Sequence, residues 1–426
     1  MTRRFLFLQG PHGPFFAELA GTLARAGARV GRVLFNRGDR MFWPGRLGGT
    51  LYRGGAEDWP GWLHARIARD GVSDLVIYGD TRPVHRAAVE AARQAGVTVH
   101  VFEEGYLRPW WVSYEREGSN GASRLNALSV AEMAEALAAP HEGAEAPEGW
   151  GALYRHMAYG ALYHGAMLSG GPRLPSHREV PVGREARLHL LRLMALPAHA
   201  LEHRVKLRGI RRRAAPFHLV LLQLDHDANF RHYGPFPDSR VFVDTVLKGF
   251  AEGAPAHHRL VFKAHPLEDG RVPMRPLIAE RAAAYGVAGR VDYVPGGRLG
   301  ALLDACRTAV TVNSTGAQQA LLRGRPVKAF GQAVYARQEF VSGQPLQAFF
   351  ADPMPPDTAA YHVFRQFLLE TSQIPGSFYA ATGRRQILRR AADMMLAADD
   401  PYTLRLRRPR QLEGAARPQH LRMLDR

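Results

Sequence analysis

Cysteine is almost missing from this 426-residue chain: Cys306 stands alone, so no disulfide can form within it. It lies in the apolar stretch ALLDACRTAV and reads as a small core residue of a protein kept in a reducing compartment. Long apolar runs are also missing. No stretch approaches the ~18 uninterrupted apolar residues of a spanning helix, and the opening MTRRFLFLQGPHG carries an apolar run shorter than a signal peptide's ~7 to 15. It reads instead as a first strand entering a Gly-Pro loop. His and Cys do not recur at the spacing of a structural zinc site, and no internal repeat or low-complexity tract appears. Lysine is scarce, with four residues (Lys206, Lys248, Lys263, Lys328) among 56 basic ones, so part of the arginine excess is a matter of composition.

The formal charge is nevertheless +17, which draws the protein toward anionic surfaces. The densest clusters are KLRGIRRR at 206–213 and LRLRRPR at 404–410. Neither is interleaved with aromatic residues as a single-strand stacking platform would be, and no zinc-finger, helix-turn-helix or RNA-recognition signature is present, so no specific nucleic-acid partner is expected.

The first 124 residues alternate strand and helix patterns: RRFLFLQG, FFAELAGTLARAG, ARVGRVLFN, WPGWLHARIARDG, DLVIYGD, HRAAVEAARQAG and VTVHVFEEG, with Gly27, Gly71 and Gly96 near the helix ends. This order predicts a right-handed, mostly parallel α/β sheet. The stretch 125–214 changes texture and reads as a helical connector. A second alternating series fills 215–350, and 351–426 reads as a helical tail. The expected architecture is therefore two Rossmann-like domains facing an interdomain cleft, the first on the acceptor side and the second binding the donor.

Ligands in such folds bind where loops leave the carboxyl ends of the strands. In the first half those loops carry His12, Asp80 and the segment FEEGYLRP, with Glu103, Glu104 and Arg108. Adjacent carboxylates repel, which raises one pKa and suits proton transfer near neutrality. Alternation along a strand sends at most one into the cleft, and Glu104 is the preferred catalytic candidate, unless pairing with Arg108 makes the acid structural. In the second half QLDHD, at 223–227, sets Gln223, Asp225 and Asp227 at period two. They suit a metal beneath a diphosphate, a nucleophile or acid, or a plain cap by Asp227. VFKAHP places Lys263 and His265 on one face, and VTVNSTG brings Asn313, Ser314, Thr315 and Gly316 ahead of the helical AQQALLRG, where free N–H groups favour a phosphate.

Several segments together resemble the capsular polysaccharide biosynthesis and export family, the KpsS/LipB-like proteins: FLQGPHGPFF, NRGDRMFW, FEEGYLRPWW, the SHR at 176–178, LLQLDHD, LVFKAHP, VNSTGAQQALLRGRPVKAFGQAVY and TSQIPGSFY. The resemblance implies a GT-B-like fold and a retaining β-Kdo transferase that uses CMP-Kdo as donor substrate, with no cofactor, to begin the Kdo linker on a phosphatidylglycerol-type lipid. It also implies a protein peripheral on the cytoplasmic face of the inner membrane, working with capsule assembly and export proteins. A more distant similarity, to GT-B CMP-sialic acid transferases, sets Glu103-Glu104-Gly105, His265-Pro266 and Ser314-Thr315 in that family's motif order. By it His265, Ser314 and Thr315 contact the donor phosphate, and an acid at 103 or 104 assists the acceptor. Asp227 is expected near the anomeric carbon, and Arg211, Arg212 and Arg213 at the membrane. CMP is a monophosphate leaving group, so protein cations can replace a metal. The rival reading is a non-catalytic accessory protein that binds capsule glycan or lipid on the same scaffold.

Overall fold

The computed structural model describes residues 2–137, 152–168, 182–268 and 270–407. The loop HEGAEAPEG, the SHR at 176–178 and the last three residues of LRLRRPR lie outside the described residues.

Two sheets organise the chain. The first comprises β1 (Arg4–Phe7), β2 (Arg29–Leu34), β3 (Gly49–Leu51), β4 (Asp74–Tyr78), β5 (Thr98–Glu104), β6 (Trp111–Arg116) and β12 (Gln373–Pro375), in the order β12-β6-β5-β4-β1-β2-β3. Strands β1 to β5 are parallel, while β6 runs antiparallel to β5 and to β12. The second comprises β7 (Phe217–Leu221), β8 (Arg259–Lys263), β9 (Val291–Val294), β10 (Thr308–Thr311) and β11 (Val327–Ala329), all parallel, in the order β11-β10-β7-β8-β9. FHLVL is buried along its whole length because helices cover both faces of a parallel sheet. The helices read from the sequence form at Phe15–Arg25, Trp59–Asp70 and Pro83–Gln94, and Gly27, Gly71 and Gly96 all have positive φ just beyond them.

The expected GT-B-like arrangement of two Rossmann-like units is what forms, with an addition from the far end of the chain. Residues past 351 do not stay apart from the first unit: β12 extends its sheet, the Arg384 guanidinium pairs with Glu18 at 2.9 Å, and Arg116 donates to the carbonyl oxygens of Ala397 and Ala398. One continuous apolar cluster joins the units, running from Tyr106 and Trp111 through Leu125 and Met133 to Leu219, Val261 and Tyr335. Connector helices occupy Ala152–Leu168 and Val182–Arg213. The first stacks Tyr163 on His12 with ring centroids 4.6 Å apart. The second lies along the β8–β9 side of the other unit, where Arg192 donates to the Pro266 carbonyl oxygen at 2.7 Å.

Candidate functional site

Strand β5 ends at Glu104, and the chain turns sharply through Gly105, whose amide donates to the Trp111 carbonyl oxygen at 2.8 Å. A side chain at 105 would run into that same carbonyl, so the turn requires glycine. It returns Arg108 over Glu104, and their ion pair is 3.0 Å long. Both partners are partly exposed, so the pair contributes little stability and serves to orient. Burial, then Glu104, raise the Tyr379 hydroxyl, and the Tyr379 ring stacks on His156 from the first connector helix at 4.2 Å.

Glu103 points the other way, toward Gly79 and Asp80 at the end of β4. Gly79 has φ 66°, and a Cβ there would lie 2.9 Å from the Glu103 carboxylate. Burial, then Asp80 and Glu104, push the Glu103 carboxyl up to about 8. Burial raises Asp80 too, although its carboxylate accepts the Ser119 amide at 2.8 Å. Burial and the neighbouring carboxylates thus raise Glu103, while the preferred catalytic candidate is Glu104. The alternative pairing of Glu104 with Arg108 is also present.

In the second unit β7 stops at Leu221, so the period-two alignment of Gln223, Asp225 and Asp227 does not form. The three diverge. Gln223 and Asn313 are buried and hold each other at 2.7 Å, joining the loops after β7 and β10. Asp225 accepts from the Ser239 amide at 3.0 Å, and Asp227 caps the helix Ala228–Tyr233 through the Asn229 amide at 2.9 Å. The two aspartates are thus engaged by different backbone amides, and among the described residues no group of three or more His, Cys, Asp or Glu side chains is placed to hold a metal ion. Burial raises the Asp227 carboxyl, offset by the Asn229 amide and by Arg108 and His226.

Beyond β8 the Lys263 side chain is buried, with its ammonium on the Ala264 carbonyl oxygen at 2.7 Å, and burial brings its pKa down to about 8. Lys263 is thus buried on a backbone carbonyl while His265 is half-buried, which corrects the expectation that a phosphate could meet both donors on one face. The His265 Nδ1 accepts the Leu267 amide at 3.0 Å, so the neutral ring carries its proton on Nε2. Burial first, then Lys263 and Arg108, hold its pKa at about 4, so near neutrality it is a hydrogen-bond donor and not a cation. After β10 the Ser314 hydroxyl accepts the Gly316 amide at 3.2 Å. Gly316 caps a helix of only five residues, Ala317–Leu321, so the expected helix-end field on Ser314 and Thr315 is that of a single turn.

The two halves meet here. Arg108 of the first unit acts electrostatically on both Asp227 and His265 of the second. Gln318, in the short helix after Thr315, donates to the Tyr106 carbonyl oxygen at 2.7 Å. Tyr233 packs on Gly121 and interacts with Asp80 across the same boundary. Beside His265 opens a cavity of about 450 Å³ lined by Arg192, Leu196, Met274 and Tyr293, within the usual size of small-molecule sites. A smaller one of about 220 Å³ lies against Asp225, His226, Arg231 and Arg271.

Of the expected site residues, Glu104 pairs with Arg108, whose charge acts on Asp227 and His265, and Gln318 ties the helix after the Ser314-Thr315 turn to Tyr106 of the first unit. Asp80 and Glu103 form a carboxyl pair behind them, and Gln223, Asn313 and Lys263 are buried support. His12 packs beneath the first connector helix, against Tyr163 and His164. Arg213 is bound to Asp292 at 3.1 Å, while Arg211 and Arg212 are exposed. Sequence reasoning assigned no role to Tyr379, His156, Tyr233 or Arg192. TSQIPGSFY held the signal for the first of these; His156 and Arg192 lie in the connector helices and Tyr233 ends the short helix Ala228–Tyr233, none within a motif.

Comparison with known proteins covers nearly the whole molecule. The family profile described as "Capsule polysaccharide biosynthesis protein" matches residues 73–379. The chain is 29% identical to the capsule polysaccharide export protein KpsS of Escherichia coli over 382 residues, 88% of this chain and 97% of that protein. It is 31% identical over 387 residues to the capsule polysaccharide modification protein LipB of Neisseria meningitidis serogroup B, covering 88% and 91% respectively. The solved structure of Thermosulfurimonas dismutans KpsC, a β-Kdo 2,7 transferase, aligns with a TM-score of 0.43 and 12% identity over 92% of this chain and all of that one. With the family profile matching more than half of the chain, from β4 of the first unit through the whole second sheet, the chain belongs to the capsule polysaccharide biosynthesis family.

Proposed function

We propose that this protein is a glycosyltransferase that moves β-Kdo from CMP-Kdo to a phosphatidylglycerol-type lipid and so begins the capsule linker, working on the cytoplasmic face of the inner membrane beside assembly and export proteins. The observation that carries this reading is Arg108: anchored on Glu104 in one unit, its charge acts on Asp227 and His265 in the other. One cation thereby acts on an acid, a half-buried carboxylate and a phosphate-competent donor, which supports a shared cleft.

In the transfer, the bond between the sugar C2 and the CMP phosphate oxygen breaks and CMP keeps the electron pair. The His265 Nε2–H and the hydroxyls of Ser314 and Thr315 are suited to stabilising the departing phosphate, and Arg108 adds positive charge. Asp227 serves at the anomeric carbon, as nucleophile or charge stabiliser, which agrees with retention of configuration. The acceptor hydroxyl oxygen forms the new bond to C2, and its proton passes to Glu104. Protonated Glu103 behind it keeps a second negative charge away from that base.

The test is incubation with CMP-Kdo and a phosphatidylglycerol analogue. Coupled appearance of CMP and a Kdo-lipid, undiminished by EDTA, is expected. Binding of either substrate without turnover would replace the transferase with the accessory-protein reading, and activity lost to EDTA and restored by Mg²⁺ or Mn²⁺ would reinstate a metal.

A further inference from the structure

The second connector helix, Val182–Arg213, is built inside out for a helix packed on a protein. At about 100° per residue, positions 187, 190, 194, 201, 205, 208 and 212 fall within roughly 60° of one another and form one stripe. Leu190, Met194, Leu201 and Val205 on that stripe are 59%, 72%, 62% and 58% exposed. Arg187 stands at one end of the row, Arg208 and Arg212 at the other, and all three are exposed. The opposite side is the one tied down: His203 and Ile210 are buried, Glu202 pairs with Arg275 at 2.7 Å, and Arg213 pairs with Asp292. Four large aliphatic side chains therefore point away from the protein.

The first connector helix repeats the pattern. It has no acidic residue and one basic one, Arg155, and Tyr154 and Leu162 are 77% and 52% exposed. Apolar faces of this kind on a soluble surface mark a place where something else docks.

We propose that the stripe on the second connector helix seats the protein on an anionic lipid bilayer, with Leu190, Met194, Leu201 and Val205 entering the headgroup boundary and Arg187, Arg208 and Arg212 meeting lipid phosphates. Charge selects this occupant. The helix has nine basic residues against two acidic ones, so a second copy docked on the stripe would set like charges face to face, whereas an anionic leaflet neutralises them. The inference deepens the lipid-acceptor reading on which it rests: it gives that acceptor a defined side of approach, beside the His265 cavity that the same helix borders through Arg192 and Leu196.

The test is flotation of the full chain with vesicles of phosphatidylcholine alone or enriched in phosphatidylglycerol, with no donor present, so that its failure is separable from failure of the transferase reading. Flotation with the anionic vesicles only is expected. A Met194→Glu, Leu201→Glu double variant should bind them at least about tenfold more weakly, with an unchanged melting temperature because both sites are exposed. As a second readout, Met194→Cys accepts a polarity-sensitive label selectively, since Cys306 is buried. Its emission should shift to the blue on addition of anionic vesicles. Undiminished flotation by the double variant, an unshifted label, or self-association through the stripe without vesicle binding would each overturn the proposal.

Discussion

Replacing Glu103 with Gln isolates the most perturbed acid of the cleft. Its carboxyl is held at about 8 against an ordinary 4.5. At ~1.4 kcal/mol for each pH unit, that gap has an upper limit of about 5 kcal/mol. The side chain is only half-buried, so solvent screening reduces the expected effect to about 1–2 kcal/mol. The folded chain keeps a proton that the unfolded chain surrenders, so the contribution is complete below pH 4.5 and disappears as pH climbs through about 8. Glutamine imitates the protonated acid and does not titrate. Melting temperatures of the two proteins should therefore coincide near pH 4 and diverge on the alkaline side, with Glu103→Gln the more stable by roughly 2–5 °C at pH 9. Parallel profiles across that range would show that Glu103 is not desolvated against Asp80, and the account of the paired carboxyls would fail.

Gly105→Ala should cost roughly 2 kcal/mol or more, because the added methyl meets the Trp111 backbone, and it should lower transfer activity by displacing Glu104 and Arg108; chemical denaturation and the donor assay read the two effects. At the acid end, burial holds His85 and His218 at about 3 and His100 at about 4. These rings fold uncharged, so the stability they contribute is present above pH 6.5 and lost as pH falls toward 4. A thermal scan should show the midpoint descending through that interval, and a flat profile would contradict the burial of the three imidazoles.

Much of this was legible in the chain because parallel strands buried on both faces announce themselves as apolar runs: RFLF, DLVIY, FHLVL and RLVFK sit where their composition puts them. The strand WVSYER did not, since Ser113, Glu115 and Arg116 are polar yet buried; Glu115 is sheltered by the hydroxyls of Tyr106, Ser123 and Tyr402, the last at 2.9 Å. Strand β12 is three residues long and pairs with a partner more than 250 positions away, which no local pattern records. Alternation along FEEG correctly sent the two glutamates to opposite sides. It did not say which would be desolvated, because that depends on Asp80 arriving from another loop. QLDHD misled for a related reason: period two is a property of a strand, and the strand had already ended at Leu221.

The claim that matters most is that Asp227 stands at the anomeric carbon of a CMP-sugar held across this cleft. Its most direct test is the rate of CMP release from CMP-Kdo, in the presence of the lipid acceptor, by the wild type and by Asp227→Asn of equal melting temperature. The wild type should release one CMP for each Kdo-lipid formed, and the variant should be slower by about a hundredfold or more. An Asp227→Asn protein that transfers at the wild-type rate would contradict the account.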